Sequence, residues 1–189
     1  MRVPPAEYLS LELRAHELLR DVTLYDVSAV DLPGGGEGRC LRDIRALDRA
    51  SRATPTVIVL FGLRRLIGRL FGWDRTPLRP EDSLVVRLSE RERRESEIPP
   101  GTPQGPFLTI YQFARESLSE TRNATVHGWI VMVLAPTATG YRLYWAVYVL
   151  PVSWITRPYL KLIEPFRRVL YPAMLERIRR AWIRAYGPH

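Results

Sequence analysis

Two apolar runs, Thr125–Ala135 (TVHGWIVMVLA) and Tyr141–Leu150 (YRLYWAVYVL), are separated only by Pro136-Thr-Ala-Thr-Gly140. β-branched and aromatic residues dominate both, and the connector has the length and glycine content of a hairpin loop. The pair predicts an antiparallel β-hairpin. Pairing Ala135 with Tyr141 puts His127, Trp129, Val131 and Val133 on one face with Leu143, Trp145, Val147 and Val149. The other face then carries Gly128, Ile130, Met132 and Leu134 with Arg142, Tyr144, Ala146 and Tyr148. A slip of one residue would mix these sets. Both faces are apolar, so the hairpin must be covered on both sides or line an internal cavity.

The rest of the chain supplies candidates for that cover. From Trp154 to Tyr186, Ile163, Phe166, Leu170, Met174, Ile178 and Trp182 recur at helical spacing. Pro158, Pro165 and Pro172 recur every seven residues, which predicts one curved helix or two or three shorter ones, each begun by a proline. Upstream, residues 6–20 carry an amphipathic helical pattern. Residues 23–32 alternate as a strand, with Leu24, Asp26, Ser28 and Val30 opposite Tyr25, Val27 and Ala29. Residues 40–50 form a short helix, and Thr54-Pro55 starts another that Gly72 ends. Ser83–Leu88 and Phe107–Phe113 are expected as strands, and Glu116–Asn123 as a short helix or turn. The mixed run Glu90–Glu97 is a solvated face or loop. Pro99, Pro100, Pro103 and Pro106 mark a loop. This order predicts one α+β domain over residues 1–189, an antiparallel sheet with a long C-terminal helix.

At 189 residues, 46% hydrophobic and 25% charged, the chain is long enough for a sizeable core and is not wholesale disordered. Its net charge is +8, from 27 Arg, one Lys and 20 acids. So strong an Arg bias reflects a GC-rich bacterial genome rather than nucleic-acid binding. Cys40 is the single cysteine, so no internal disulfide forms and a reducing cytoplasm is expected. The opening MRVPPAEYLS shows no secretory apolar region. The longest apolar stretch, Leu143–Ile155, contains Pro151 and falls short of the roughly 20 residues a membrane span needs.

Motifs exclude more than they assign. Gly34-Gly35-Gly36-Glu37-Gly38 follows a strand but fits no nucleotide fingerprint, and a turn is the simpler reading. His16, His127 and His189 are scattered, so no metal site and no cofactor is expected. His127, in a strand between apolar neighbours, is the candidate acid or base, set against a core histidine bonded to a carbonyl. Tyr144 and Tyr148, with Met132 beside them and Phe166 and Arg167 from the tail, are the candidate ligand-binding residues. Packed tyrosines with satisfied hydroxyls are the plainer alternative. Arg167 could bind a carboxylate or phosphate, or pair structurally with Asp26 or Asp74. From Arg157 onward there are eight basic residues and two acids, so a membrane contact through 157–184 is weighed against a simply solvated helix.

Four stretches resemble a bacterial family known as domain of unknown function 2867. They are Arg14-Ala-His16-Glu17-Leu with Leu24-Tyr-Asp26-Val27; Leu70-Phe71-Gly72-Trp73-Asp74; Asn123-Ala-Thr125-Val126-His127-Gly128; and Tyr159–Trp182, with Ile163-Glu-Pro165-Phe166-Arg167-Arg168. Members of that family often carry a histidine just after Pro-Phe, where this chain has Arg167 and Arg168. The resemblance implies a helix-grip-like fold and supplies no activity. The expected function is binding of a hydrophobic small molecule in an apolar pocket between sheet and C-terminal helix. The alternatives are a cyclase- or isomerase-like enzyme on the same scaffold, and a peripheral membrane or partner-docking protein.

Overall fold

The computed structural model describes residues 2–50, 78–123, 126–152, 154 and 156–187. Helices α1 (Pro5–Leu9) and α2 (Arg14–Leu18) lead into strand β1 (Thr23–Pro33), and helix α3 (Leu41–Ala50) follows. Two 3-10 turns (Pro80–Asp82 and Leu84–Arg87) and helix α4 (Glu90–Glu95) come next. Strands β2 (Pro103–Gln104), β3 (Phe107–Gln112), β4 (Glu116–Arg122), β5 (His127–Thr137) and β6 (Gly140–Leu150) precede helix α5 (Thr156–Tyr186). All six strands make one open antiparallel sheet in the order β1-β6-β5-β4-β3-β2. The α+β class with a long C-terminal helix is as the sequence predicts.

The central hairpin forms one residue out of the predicted register. Ala135 pairs with Arg142 and His127 with Leu150. Thr137 pairs with Gly140, so only Ala138 and Thr139 make the turn and the strands extend into the expected loop. Gly140 permits this tight exit: its φ is 151°, and a Cβ there would lie 2.3 Å from the Leu32 carbonyl oxygen. The slip changes the faces. Trp129, Val131 and Val133 now share a side with Tyr148, Ala146 and Tyr144, while Ile130, Met132 and Leu134 share the other with Val147, Trp145 and Leu143.

Helices and turns pack over both faces, as their apolar character requires. On one, Leu41 and Ile44 of α3 and Leu175, Ile178 and Trp182 of α5 bury Leu32, Leu134, Tyr141 and Leu143. Nearer the start of α5, Leu160, Ile163 and Tyr171 pack on Val147 and Val149. On the other, Tyr8, Ala15, Leu18 and Leu19, with Val85 and Leu88, cover Val27, Leu118, Trp129, Val131 and Ala146. The tail is one continuous helix. Pro158, Pro165 and Pro172 all lie on its solvent side.

Four local expectations are corrected. Residues 6–20 form two short helices. The Ser10 hydroxyl donates to the Glu7 carbonyl where α1 ends, and the Glu116 carboxylate accepts the N–H groups of Arg14 and Ala15 where α2 begins. Ser83–Leu88 is a 3-10 turn, because the Ser83 hydroxyl caps Val85 and Glu120 accepts the Leu84 N–H. Glu116–Arg122 is an inner strand rather than a helix or turn, with Leu118 fully buried between β3 and β5. In β1 a bulge at Tyr25 sends Leu24 to the side of Val27 and brings Tyr25 beside Asp26. The charged run forms α4, an exposed helix closed by a Ser89–Glu92 capping box. The helix predicted over Thr54–Gly72 lies outside the described residues.

Candidate functional site

Helices α3 and α5 leave part of their sheet face open. Alternation turns Ser117 and Ser119 of β4, Ile130 and Met132 of β5, and Trp145 of β6 toward this opening. With Ile44, Phe107 and Met174 they wall a cleft of about 210 Å³. Its wall is mostly apolar. Its polar rim is already paired: Arg45 Nη1 donates to Gln104 Oε1 at 2.5 Å, and Asp48 pairs with Arg177 of α5. Trp145 Nε1 is buried with no hydrogen-bond partner among the described residues.

The structure splits the sequence-predicted ligand-binding set. Met132 lines the cleft. Tyr144 and Tyr148 point to the opposite sheet face, because the one-residue slip exchanged the partners of β5. There the Tyr144 hydroxyl donates to Glu7 Oε1 at 2.7 Å, and Tyr148 packs near Tyr8. Tyr111 donates to Glu116 Oε1 at 2.5 Å in the same layer. Burial holds all four phenols above their ordinary range. For Tyr8 the Tyr148 hydroxyl and the Glu116 carboxylate add to it, and for Tyr111 Glu116 does. Tyr144 is pushed up to about 12, by burial first and then by Glu7. His16, edge-on to Tyr8, is lowered by burial. This layer is a polar-lined core. The Phe166 side chain lies outside what the structure describes.

Arg167 lies on the inner face of α5, 7% exposed. Its Nη2 donates to Asp26 Oδ2 at 2.7 Å, and its guanidinium sits 4.3 Å above the Tyr25 ring. The β1 bulge is what presents both partners to it. Burial works against this charge, but Tyr171, Asp26 and Tyr25 together raise its pKa. Of the two roles weighed for Arg167, the structure realises the bridge to Asp26, and the residue does not border the cleft.

Among the described residues, His127 meets a carboxylate rather than a carbonyl. Its Nε2 lies 2.5 Å from Oε1 of Glu120, whose side chain is 1% exposed. Glu120 Oε2 accepts the Leu84 N–H at 2.8 Å, and the imidazole lies on Trp129 with centroids 4.0 Å apart. The carboxylate fixes the orientation of the ring and decides which nitrogen carries its proton. The pair sits on the sheet face opposite the cleft.

A family model described as "Protein of unknown function (DUF2867)" matches residues 18–174. The chain belongs to the DUF2867 family. The DUF2867 match takes in Asp26, Glu120, His127, Met132, Trp145 and Arg167, and it ends in α5 at Met174. No curated protein and no solved structure matches the chain. Among the described residues of this DUF2867 protein, no group of three or more His, Cys, Asp or Glu side chains could hold a metal ion. Sequence reasoning missed Glu120 and the cleft-facing Ile130 and Trp145. The alternation of Leu118 and Glu120 against Ser117 and Ser119 was a legible strand signal for the first. The register slip hid Trp145, whereas Ile130 shares the face of Met132 in either register and was not singled out.

Proposed function

We propose that the chain is a small-molecule-binding domain whose ligand sits in the apolar cleft between the sheet and helices α3 and α5. The observation that carries this reading is the composition of the cleft: Ile130, Met132, Trp145, Phe107 and Met174 around about 210 Å³, with the paired Arg45–Gln104 contact at its rim. Such a wall favours a compact, mostly apolar molecule. A cytoplasmic setting goes with this reading and is supported by the lone Cys40.

The test is native mass spectrometry of the purified protein, together with binding of the hydrophobic dye ANS. Met132→Trp, which fills the cleft, should remove a co-purifying apolar compound and most of the dye signal while leaving the melting transition within a few degrees. Dye binding unchanged by this variant, in a protein that carries no compound, would refute the reading.

The acid–base alternative is supported by one observation, the His127–Glu120 pair. Among the described residues no histidine or tyrosine lines the cleft, so a reaction at His127 would need a substrate reaching the other sheet face. Loss of turnover of a screened substrate in His127→Asn would favour that reading over simple binding.

A further inference from the structure

Helix α5 has a second stripe, on the side turned away from the sheet. Pro158, Leu162, Pro165, Val169 and Pro172 follow one another at spacings of three and four residues, and all are exposed. Leu162 is 51% exposed and Val169 53%. Just before the helix, Trp154 is 82% exposed, with Leu150 and Val152 also open. Apolar groups on a covering helix normally face the sheet, and here the inner face already uses Leu160, Ile163, Tyr171, Leu175 and Ile178. Among the described residues, the outer stripe is surplus to the core.

Its borders are basic. Lys161 and Arg168 lie along one flank, and Arg180 and Arg184 continue past its end. Lys161 and Arg184 have no ion-pair partner among the described residues. The acids of this helix, Glu164 and Glu176, lie nearby and are engaged by Arg167, Arg168, Arg179 and Arg180. A second copy laid on the stripe would bring like charges together. An anionic surface would not.

We propose that this outer stripe, with Trp154 at its head, rests on the surface of a membrane containing anionic lipid. Trp154 would sit at headgroup level, Leu162 and Val169 just beneath it, and Lys161, Arg168 and Arg184 against the headgroups. No described helix is long and apolar enough to cross a membrane, so the contact is peripheral. Each basic residue near such a surface strengthens partitioning about fivefold at low salt.

The experiment is co-sedimentation of the full chain with vesicles of phosphatidylcholine, with and without phosphatidylglycerol, at low and high salt. The expected result is binding to the anionic vesicles only, weakened severalfold by salt and lost in the double variant Leu162→Glu/Val169→Glu. Both positions are exposed, and circular dichroism of the variant checks that the fold is kept. Lys161→Gln provides a second, single-charge arm and should reduce binding several-fold. No preference for anionic vesicles, or binding indifferent to these substitutions, would overturn the proposal. So would a concentration-dependent dimer, abolished by the double variant, in a protein that ignores vesicles.

Discussion

A single buried guanidinium ties the long helix to the edge strand. Arg167 is paired with Asp26, which also meets Arg2 at 3.0 Å, and Glu164 stands 3.6 Å from it. Removing one partner of a buried pair leaves the other charge unpaired. Asp26→Ala is therefore expected to lower stability by about 3 kcal/mol in urea denaturation, and Asp26→Leu/Arg167→Met to recover most of that loss. The tyrosines give a second residue-scale expectation. An unfolded chain ionises its phenols near pH 10, whereas the fold holds Tyr8, Tyr111, Tyr144 and Tyr148 protonated above that range. The stability they contribute is complete below about pH 10 and is lost as pH rises through their folded values. Absorbance titration of the folded protein should show these four of the nine tyrosines ionising only above the ordinary phenol range.

At the scale of elements, the seat of α5 explains the triple glycine. Trp182 Nε1 donates to the Pro33 carbonyl at 3.0 Å, and the Gly35 N–H donates to the Tyr186 carbonyl at 2.9 Å. Gly35 has a φ of 96°, and a Cβ on it would lie 2.5 Å from the Trp182 ring. What reads as a plain turn is the socket of the last helical turn. Gly35→Ala should cost about 1–3 kcal/mol, from backbone strain and the displaced ring. It should also raise amide exchange selectively across 178–186. Ile178→Ala, at a buried contact in the same seam, should cost about 2–5 kcal/mol without localised exchange. The helix itself was legible because its apolar period persists from Ile163 to Trp182. Strand β4 was passed over despite the alternation of Leu118 and Glu120 with Ser117 and Ser119, because Ser and Glu look helical or turn-like until neighbours on both sides make Leu118 and Glu120 interior.

The whole molecule is a sheet with an apolar layer on each face and separate helices over each. A chain ending at Leu150 would bare Tyr141, Leu143, Trp145 and Val147, which α5 now covers. It should be insoluble or lack a cooperative melting transition, and size-exclusion chromatography with circular dichroism would reveal either. By itself the sequence determined the α+β class, the central hairpin, the long C-terminal helix, the need for cover on both sheet faces and the DUF2867 resemblance. Each follows from local composition or from periodicity sustained over many residues. Only the tertiary structure decided the hairpin register, the bulge at Tyr25, the pairing of Arg167 with Asp26 and of His127 with Glu120, and the side of the sheet on which the cleft lies. In a strand the side-chain period is two, so one residue of register moves a side chain from one layer to the other. In the register adopted, Gly140 packs tightly against Leu32, a contact between strands more than a hundred positions apart.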